Sequence, residues 1–542
     1  MRVYRCPICS QRVPALLHDF TSEGEAKVVA KLRIRHPYWS EREGLCERCL
    51  YLNEFDTFEE HFATMAHGTL FRRRVGNPFA LLPTPLRLNT DPRFAGRGVT
   101  IAFIDSGFYP HPDLTRPQNR IRAIVDVTGE RKPQRYFRTP HPESWHGMMT
   151  SVVAAGNGHL SDGLYRGIAS EAEVVLIKVM DTRTGRINTE NITRGLRWAI
   201  DHHKEHSIRV ISISVADDEP VASDESPVDR AAEEAASKGI VVVAAIGNTP
   251  EKPVVPPASS PSVITVGGLD DRNEVWHEKR VMYHSTYGKT VDGHAKPEII
   301  APAIWVAGPI LPGSDQHNES EALFKLLGSH TTIGVRQFET LSKDIPGIPI
   351  ELRKGGCETW VAERIKEKSY IAPAYKNVDG TSFAAPIVSS VIAQMLEAMP
   401  DLSPADVRRI LMDTAQQVKG APAEQQGSGV LNPRTAVHRA LGQRAPSNVP
   451  GAYRTDSGIV FVYHNRVPRT VALAGDFNSW DVTKNHFDEL ENGVWSCWLP
   501  LPPAGTYRYK FVVDRAVWIE DPSNPTKDPD GYGGWNSVVD VE

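Results

Sequence analysis

Five short apolar, β-branched runs mark the middle of the chain: VTIAFID (99–105), AEVVLIKVM (172–180), RVISISV (209–215), GIVVVAAIG (239–247) and SVITVGG (262–268). They are nearly continuous rather than alternating, the pattern of strands buried on both faces. Between them, ITRGLRWAIDHHKEH (192–206) and VDRAAEEAASK (228–238) repeat apolar residues every three to four positions, as a helix with one buried stripe does. Strand and helix in alternation predict an α/β fold, a mostly parallel sheet covered by helices on both faces. The region runs from Gly98 to residue 443, closing after PADVRRILMDTA (404–415) and GSGVLNPRTAV (427–437). Within it, 304–375 reads as an insertion, a long excursion between the segments APAI and KNVDG.

The pattern changes on both sides. Residues 444–452 read as a linker. Residues 453–542 carry only strand signals, VPRTVALAGDF, GVWSCWLPL, TYRYKFVVD and NSVVDV, bounded by Asn-Gly, Pro-Ala-Gly and Asp-Pro turns, and predict a small all-β, immunoglobulin-like sandwich. On the other side, residues 1–75 form a module holding two C-x-x-C pairs, and 76–97, rich in Pro and Arg without periodicity, read as a linker.

Composition narrows the function classes. A length of 542 residues suits about three or four domains. Lys+Arg 61 against Asp+Glu 66 leaves a net charge of −5, which excludes the basic balance of a general nucleic-acid binder. No run approaches the roughly 18 apolar residues of a membrane span, so no membrane partner is expected. The start, MRVYRCPICS, lacks an apolar stretch behind a basic one, and six cysteines cannot make a disulfide framework. The expected location is therefore cytoplasmic.

Three segments place a reactive residue at a strand end or helix start, where open α/β sheets carry their active sites. GVTIAFIDSG ends a strand at Asp105; SWHGMMTSVVAAG opens a helix with His146-Gly147; DGTSFAAPIVSSVIAQML puts Ser382 at the start of a long apolar helix. A serine hydroxyl needs a base to take its proton and a buried acid to hold that base in the correct tautomer. Asp105, His146 and Ser382 fit these roles, and the positive helix end beside Ser382 suits an oxyanion.

These segments and their Asp-His-Ser order resemble the subtilisin-like serine proteases, over roughly residues 95–440. The resemblance implies a serine endopeptidase acting on a protein or peptide substrate. It implies that Asn248 of AAIGN is an oxyanion donor with the Ser382 N–H, that Ser214-Val215-Ala216 pair with an extended substrate, and that Gly247 and Val255 border the first specificity pocket. Calcium sites are common in this family, and AGNGHLSDG offers Asn157 and Asp162 as oxygen ligands. Met148 and Met149 stand where the family has a small residue and a second His, Phe383 and Ile387 where it has Met and His, and Ala303 where it has Gly. None of these alters a proton carrier, so they read as packing variants. Leu82-Pro83 offers a segment that could lie across the groove as an inhibitor. The reading from another class is a noncatalytic glycan- or partner-binding scaffold on the same fold.

Cys6, Cys9, Cys46 and Cys49 supply four thiolates for one tetrahedral structural zinc, redox or inert thiols being the alternative. Cys357 and Cys497 read as buried small residues. The C-terminal stretch resembles the glycogen-binding domains of AMP-activated kinase β-subunits and starch-branching enzymes through VALAGDFNSW, YRYKFVVDRAVWIEDP and NSVVDV. That resemblance implies an α-glucan partner, with Trp480 and Trp518 stacking on sugar rings and Lys510 and Asn536 bonding hydroxyls; docking to a partner protein is the alternative.

Overall fold

The computed structural model describes residues 77–441 except 131, 134, 276–278, 328–339 and 350–356, residues 451–541 except 455–457, 466–469, 492, 501, 525 and 533, and short pieces of 1–76 (4–5, 12–13, 16–18, 29 and 40–45). The chain divides into two compact units, Met1–Gly76 and Asn77–Glu542.

In the first unit Tyr4–Arg5 pairs antiparallel with Arg12–Val13, and Leu17 bridges to Leu45. A short turn, Glu41–Glu43, is capped where the Glu43 carboxylate accepts the Ser40 N–H at 2.8 Å. The four candidate zinc cysteines lie outside the described residues.

The second unit is built on an eight-stranded sheet. Its strands are β1 (Thr100–Asp105), β2 (Ile121–Asp126), β3 (Glu173–Lys178), β4 (Ile208–Ile213), β5 (Val241–Ala245), β6 (Ile264–Asp270), β7 (Val281–Met282) and β8 (Ile299–Pro302). The spatial order is β8-β6-β5-β4-β1-β3-β2; these pairs are all parallel, and β7 adds antiparallel to β6. Because side chains alternate along a strand, Ile101 and Phe103 of β1 join one core with Val152 of α1 (Ser144–Ala155), while Ala102 and Ile104 join another with Leu196 of α2 (Thr189–Asp201) and Ala231 of α3 (Pro227–Ser237). Burial on both faces is what made the apolar runs continuous.

Of the segment read as a linker, 76–97, the described residues 77–97 are packed into the second unit. Leu81, Leu82, Leu86, Leu88 and Phe94 are buried, the Leu81 and Leu82 N–H groups donate to Tyr165 and Asn273 at 3.2 and 2.9 Å, and the buried Arg87 pairs with Asp271. Leu82 is thus sealed into this face of the unit, and neither it nor Pro83 lines the cleft beside His146, contrary to the inhibitory reading. The segment lacks periodicity because its only regular element is the single helical turn Thr84–Arg87, so its burial left no repeating signature.

The insertion folds on itself. Strands β9 (Val306–Pro309), β10 (Tyr370–Ala372) and β11 (Tyr375–Val378) make an antiparallel sheet, and helices α4 (Asp315–Leu327) and α5 (Cys357–Glu367) share a core of Leu323, Leu326, Val361 and Ile365. β11 hands the chain to Gly380 and so to α6 (Thr381–Ala398), which is followed by α7 (Pro404–Thr414) and α8 (Pro433–Leu441).

Residues 451–541 form two antiparallel sheets. One is β12 (Gly451–Arg454), β13 (Gly458–His464), β16 (Val494–Pro500) and β15 (Asp488–Glu491) in that order; the other is β14 (Val471–Gly475), β17 (Gly505–Val513), β20 (Trp535–Val541) and β19 (Lys527–Pro529), with β18 (Val517–Ile519) on β17. Phe461, Leu473, Trp495, Tyr509 and Phe511 fill the core, as a β-sandwich requires. This module docks on the α/β body. Val460 and Val462 join the α/β core, Trp498 packs on Phe94 with centroids 5.3 Å apart, and buried His438 of α8 bonds Asp91 at 2.9 Å and pairs with Asp488 of β15.

Candidate active site

Asp105 ends β1 with only 1% of its surface exposed. Its Oδ1 accepts the Ser106 N–H and the His146 ring, both at 2.7 Å, and its Oδ2 accepts the Thr150 hydroxyl at 3.0 Å. An ionised carboxylate only accepts, so His146 carries its proton on Nδ1 and leaves the Nε2 lone pair free to act as a base. Burial opposes protonation of His146, but the charge and hydrogen bond of Asp105 outweigh it and raise the imidazole pKa above 6.5. Gly147 follows because the backbones nearly touch: a Cβ there would lie 2.3 Å from the Gly107 carbonyl oxygen.

Ser382 is the second residue of α6, and its N–H is among those at a helix start with no intrahelical acceptor. Gly380 enters the helix at φ 128°, a backbone that favours glycine, and donates to the Ala303 carbonyl at 2.7 Å. Asn248 reaches the same helix end from beyond β5. Its Oδ1 accepts both the N–H and the hydroxyl of Thr381, at 2.8 and 3.0 Å, which orients the amide so that Nδ2 is left as a donor. The Thr381 hydroxyl in turn accepts the Gly247 N–H at 3.1 Å. The sequence reading missed Thr381 and Thr150; the four-residue spacing of Thr150 from His146 on one helix face was the available signal for the latter.

Among the described residues no hydrogen bond links Ser382 to His146. The imidazole lies 6.1 Å, centroid to centroid, from the ring of Phe383, the residue after the serine. Catalytic hydrogen bonds of this kind tighten when substrate is bound. Ser214, on the expected substrate strand, donates to the Ser382 carbonyl at 2.9 Å. Val215 is half-buried, Ala216 exposed, and Gly247 and Val255 half-buried. Met148, Met149, Phe383 and Ile387 are all buried, as packing variants should be. Beside His146 opens a cleft of about 650 Å³ lined by Trp145, Met180, Ile187, Ser214 and Val215 among others.

The other expected residues fall elsewhere. Asn157 uses both ends of its amide locally, donating to the Arg116 carbonyl at 2.6 Å and accepting the His159 N–H at 3.0 Å, and Asp162 sits in a left-handed turn. Among the described residues no group of three His, Cys, Asp or Glu side chains gathers as metal ligands. Cys497 is buried, with its thiol pushed up to about 12 by desolvation, while Cys357 has no described side chain. In the sandwich, Lys510 and Val512 of β17 face away from the core. Trp518 pairs with Val512, and Trp480 lies 6.3 Å from Trp518, ring to ring. Lys510 donates to Asp530 at 2.6 Å, and Asn536, on the neighbouring strand β20, is buried. Among the described residues no helix is long and apolar enough to cross a membrane.

A carboxylate at the end of a parallel strand, an imidazole and a serine each in the first turn of a helix, and an amide donor fixed beside the serine define a hydrolase-type site. Residues 96–429 match the subtilase family, and residues 450–529 match carbohydrate-binding module 48, the isoamylase N-terminal domain. The chain belongs to the subtilase family. It is 29% identical over 350 residues to serine protease AprX of Bacillus subtilis (strain 168), covering 63% of this chain and 66% of AprX, so it spans just under two thirds of that protein's length. It is 24% identical over 346 residues to subtilisin BL of Lederbergia lenta, covering 63% of this chain and 91% of that one. A solved structure of a mutant of the protease domain of PatA aligns at 19% identity with a TM-score of 0.43, covering 65% of this chain and 98% of that one.

Proposed function

We propose that this chain is a serine endopeptidase that cleaves peptide bonds through an acyl-enzyme on Ser382. His146 Nε2 takes the hydroxyl proton as Oγ attacks the carbonyl carbon, and Asp105 stabilises the imidazolium that forms. The Asn248 amide and the Ser382 N–H hold the oxyanion. His146 then returns the proton to the leaving amine, and water, deprotonated by the same imidazole, releases the acid. The observation that carries this reading is the 2.7 Å bond from the His146 ring to a buried Asp105, which holds the proton on Nδ1 and leaves Nε2 as the basic nitrogen. A fluorophosphonate probe tests it: the folded chain labels and Ser382→Ala does not. Folded wild type that stays unlabelled would favour the scaffold.

The first unit would hold a structural zinc on Cys6, Cys9, Cys46 and Cys49, in a chain working in the cytoplasm. In support, the hairpin strands 4–5 and 12–13 flank the first pair, and the Leu17–Leu45 bridge ties the residue before Cys46 to the chain just beyond that hairpin. Metal analysis finding no zinc would remove it. Calcium draws no such support. The sandwich would bind α-glucan on the outer sheet face bearing Trp480, Trp518, Lys510 and Asn536. Retention of the full chain on amylose, lost in Trp480→Ala, tests this; equal retention removes it.

A further inference from the structure

The cleft beside His146 has an uneven charge. Two carboxylates line it, Asp105 and Glu143, and neither Lys nor Arg does. Asp105 is sealed off and engaged by His146. Glu143 is not paired with a cation among the described residues, yet it is held firmly. Its Cγ packs against Gly107, where an added Cβ would meet it at 3.1 Å, and the Ser106 hydroxyl donates to its carbonyl at 3.0 Å. The Tyr136 hydroxyl donates to its carboxylate. Lys132, on the same loop, sits over the Tyr136 ring at 4.7 Å and bonds Glu130 at 2.9 Å instead. The Trp145 indole, 46% exposed, lines the same cleft, and Met180 and Ile187 add apolar lining. An oily trough with a fixed carboxylate and an open indole face is complementary to a long aliphatic stem ending in a cation.

The register of an extended substrate decides which residue reaches it. Successive side chains on a strand point to opposite sides. If the residue that becomes the acyl group turns toward Gly247 and Val255, the residue before it turns the other way, toward His146 and this cleft. We propose that the cleft selects lysine or arginine at the residue immediately preceding the acyl residue, and that Glu143 is the specificity determinant. The placement rests on the peptidase reading above.

The test separates binding from chemistry. Full-length Ser382→Ala protein is titrated with fluorescent peptides identical except for Lys, Leu or Glu at that one position, read by anisotropy. The Lys peptide should bind roughly tenfold tighter than the Glu peptide. Adding Glu143→Gln should shrink that ratio to about twofold or less, and Glu143→Lys should invert it, with circular dichroism reporting the fold of each. Equal binding of the three peptides, no binding of any, or a Lys preference that survives Glu143→Gln would overturn the proposal. Cleavage of the same peptides by the wild-type chain is a separate readout: selective binding without cleavage would sink the peptidase reading and leave standing only the preference of the cleft and Glu143 for a cationic side chain.

Discussion

Valine in place of Thr381 preserves the branched shape of the side chain and removes a single oxygen that makes two bonds. That oxygen donates to Asn248 Oδ1 at 3.0 Å and accepts the Gly247 N–H at 3.1 Å. A neutral hydrogen bond nets about 1 kcal/mol, so its loss lets the Asn248 amide leave the oxyanion-binding orientation more often, by a factor of about 5. The Thr381 N–H still holds Oδ1 at 2.8 Å. The penalty should therefore stay well short of the roughly 10²–10³ that follows complete loss of an oxyanion donor. The expected result is a fall in kcat of about 5- to 10-fold with KM little changed, because the amide acts on charge that develops after binding. The unsatisfied Gly247 N–H should also lower stability by about 1–2 kcal/mol in urea unfolding. Thr381→Ser, which keeps the oxygen, should restore most of kcat. In an Asn248→Ala background, Thr381→Val should cost little more, since the two act through one amide. Steady-state hydrolysis of a peptide substrate by the four variants is the assay. A Thr381→Val enzyme within about twofold of wild type, or full additivity with Asn248→Ala, would refute the reasoning.

Three other outcomes follow from the same geometry. His146 acts only when neutral, and its pKa is raised above 6.5, so kcat/KM should fall as pH drops through a value above 6.5; an acid limb below 6 would contradict the Asp105 pairing. Gly147→Ala would drive a Cβ to 2.3 Å from the Gly107 oxygen and should destabilise the fold by about 3 kcal/mol or more, with loss of fluorophosphonate labelling; a stable, fully labelled variant would mean that His146 does not depend on this approach. Burial disfavours the His438 cation, but Asp488 and Asp91 outweigh it and raise its pKa, so its contribution is complete below about 6.5 and is lost as pH rises through the higher folded value. His438→Ala should then cost roughly 2 kcal/mol, discounted because Asp488 is 40% exposed, and should flatten the alkaline decline in melting temperature; an unchanged decline would assign it elsewhere.

What could be read from the chain was whatever repeats or clusters locally. The strands announced themselves because both faces of the sheet are covered, and Asp105, His146 and Ser382 because each sits where an apolar element starts or stops. Thr381 stands beside Ser382 in the same motif, yet its partner Asn248 is 133 residues away, and nothing local says that its hydroxyl sets an amide. The His438–Asp91 bond spans 347 positions, and the same ring ties the body to the sandwich by pairing with Asp488, through groups that look like ordinary surface charges in sequence. Residues 77–97 were misjudged for a related reason: a segment with a single helical turn can be buried without periodicity when its N–H groups find side-chain acceptors such as Tyr165 and Asn273. The insertion's helices share their core with each other and with Tyr370 of β10, and with no residue of the central sheet whose strands set the pattern of the rest.

The central claim is that Ser382 carries the acyl group, and acid-quench mass spectrometry reads it directly. Wild-type protein quenched during turnover of an activated ester should gain the mass of the acyl group on the peptide containing Ser382, with the adduct absent from Ser382→Ala and greatly slowed in His146→Ala. Turnover that proceeds without an adduct and survives Ser382→Ala would contradict the account.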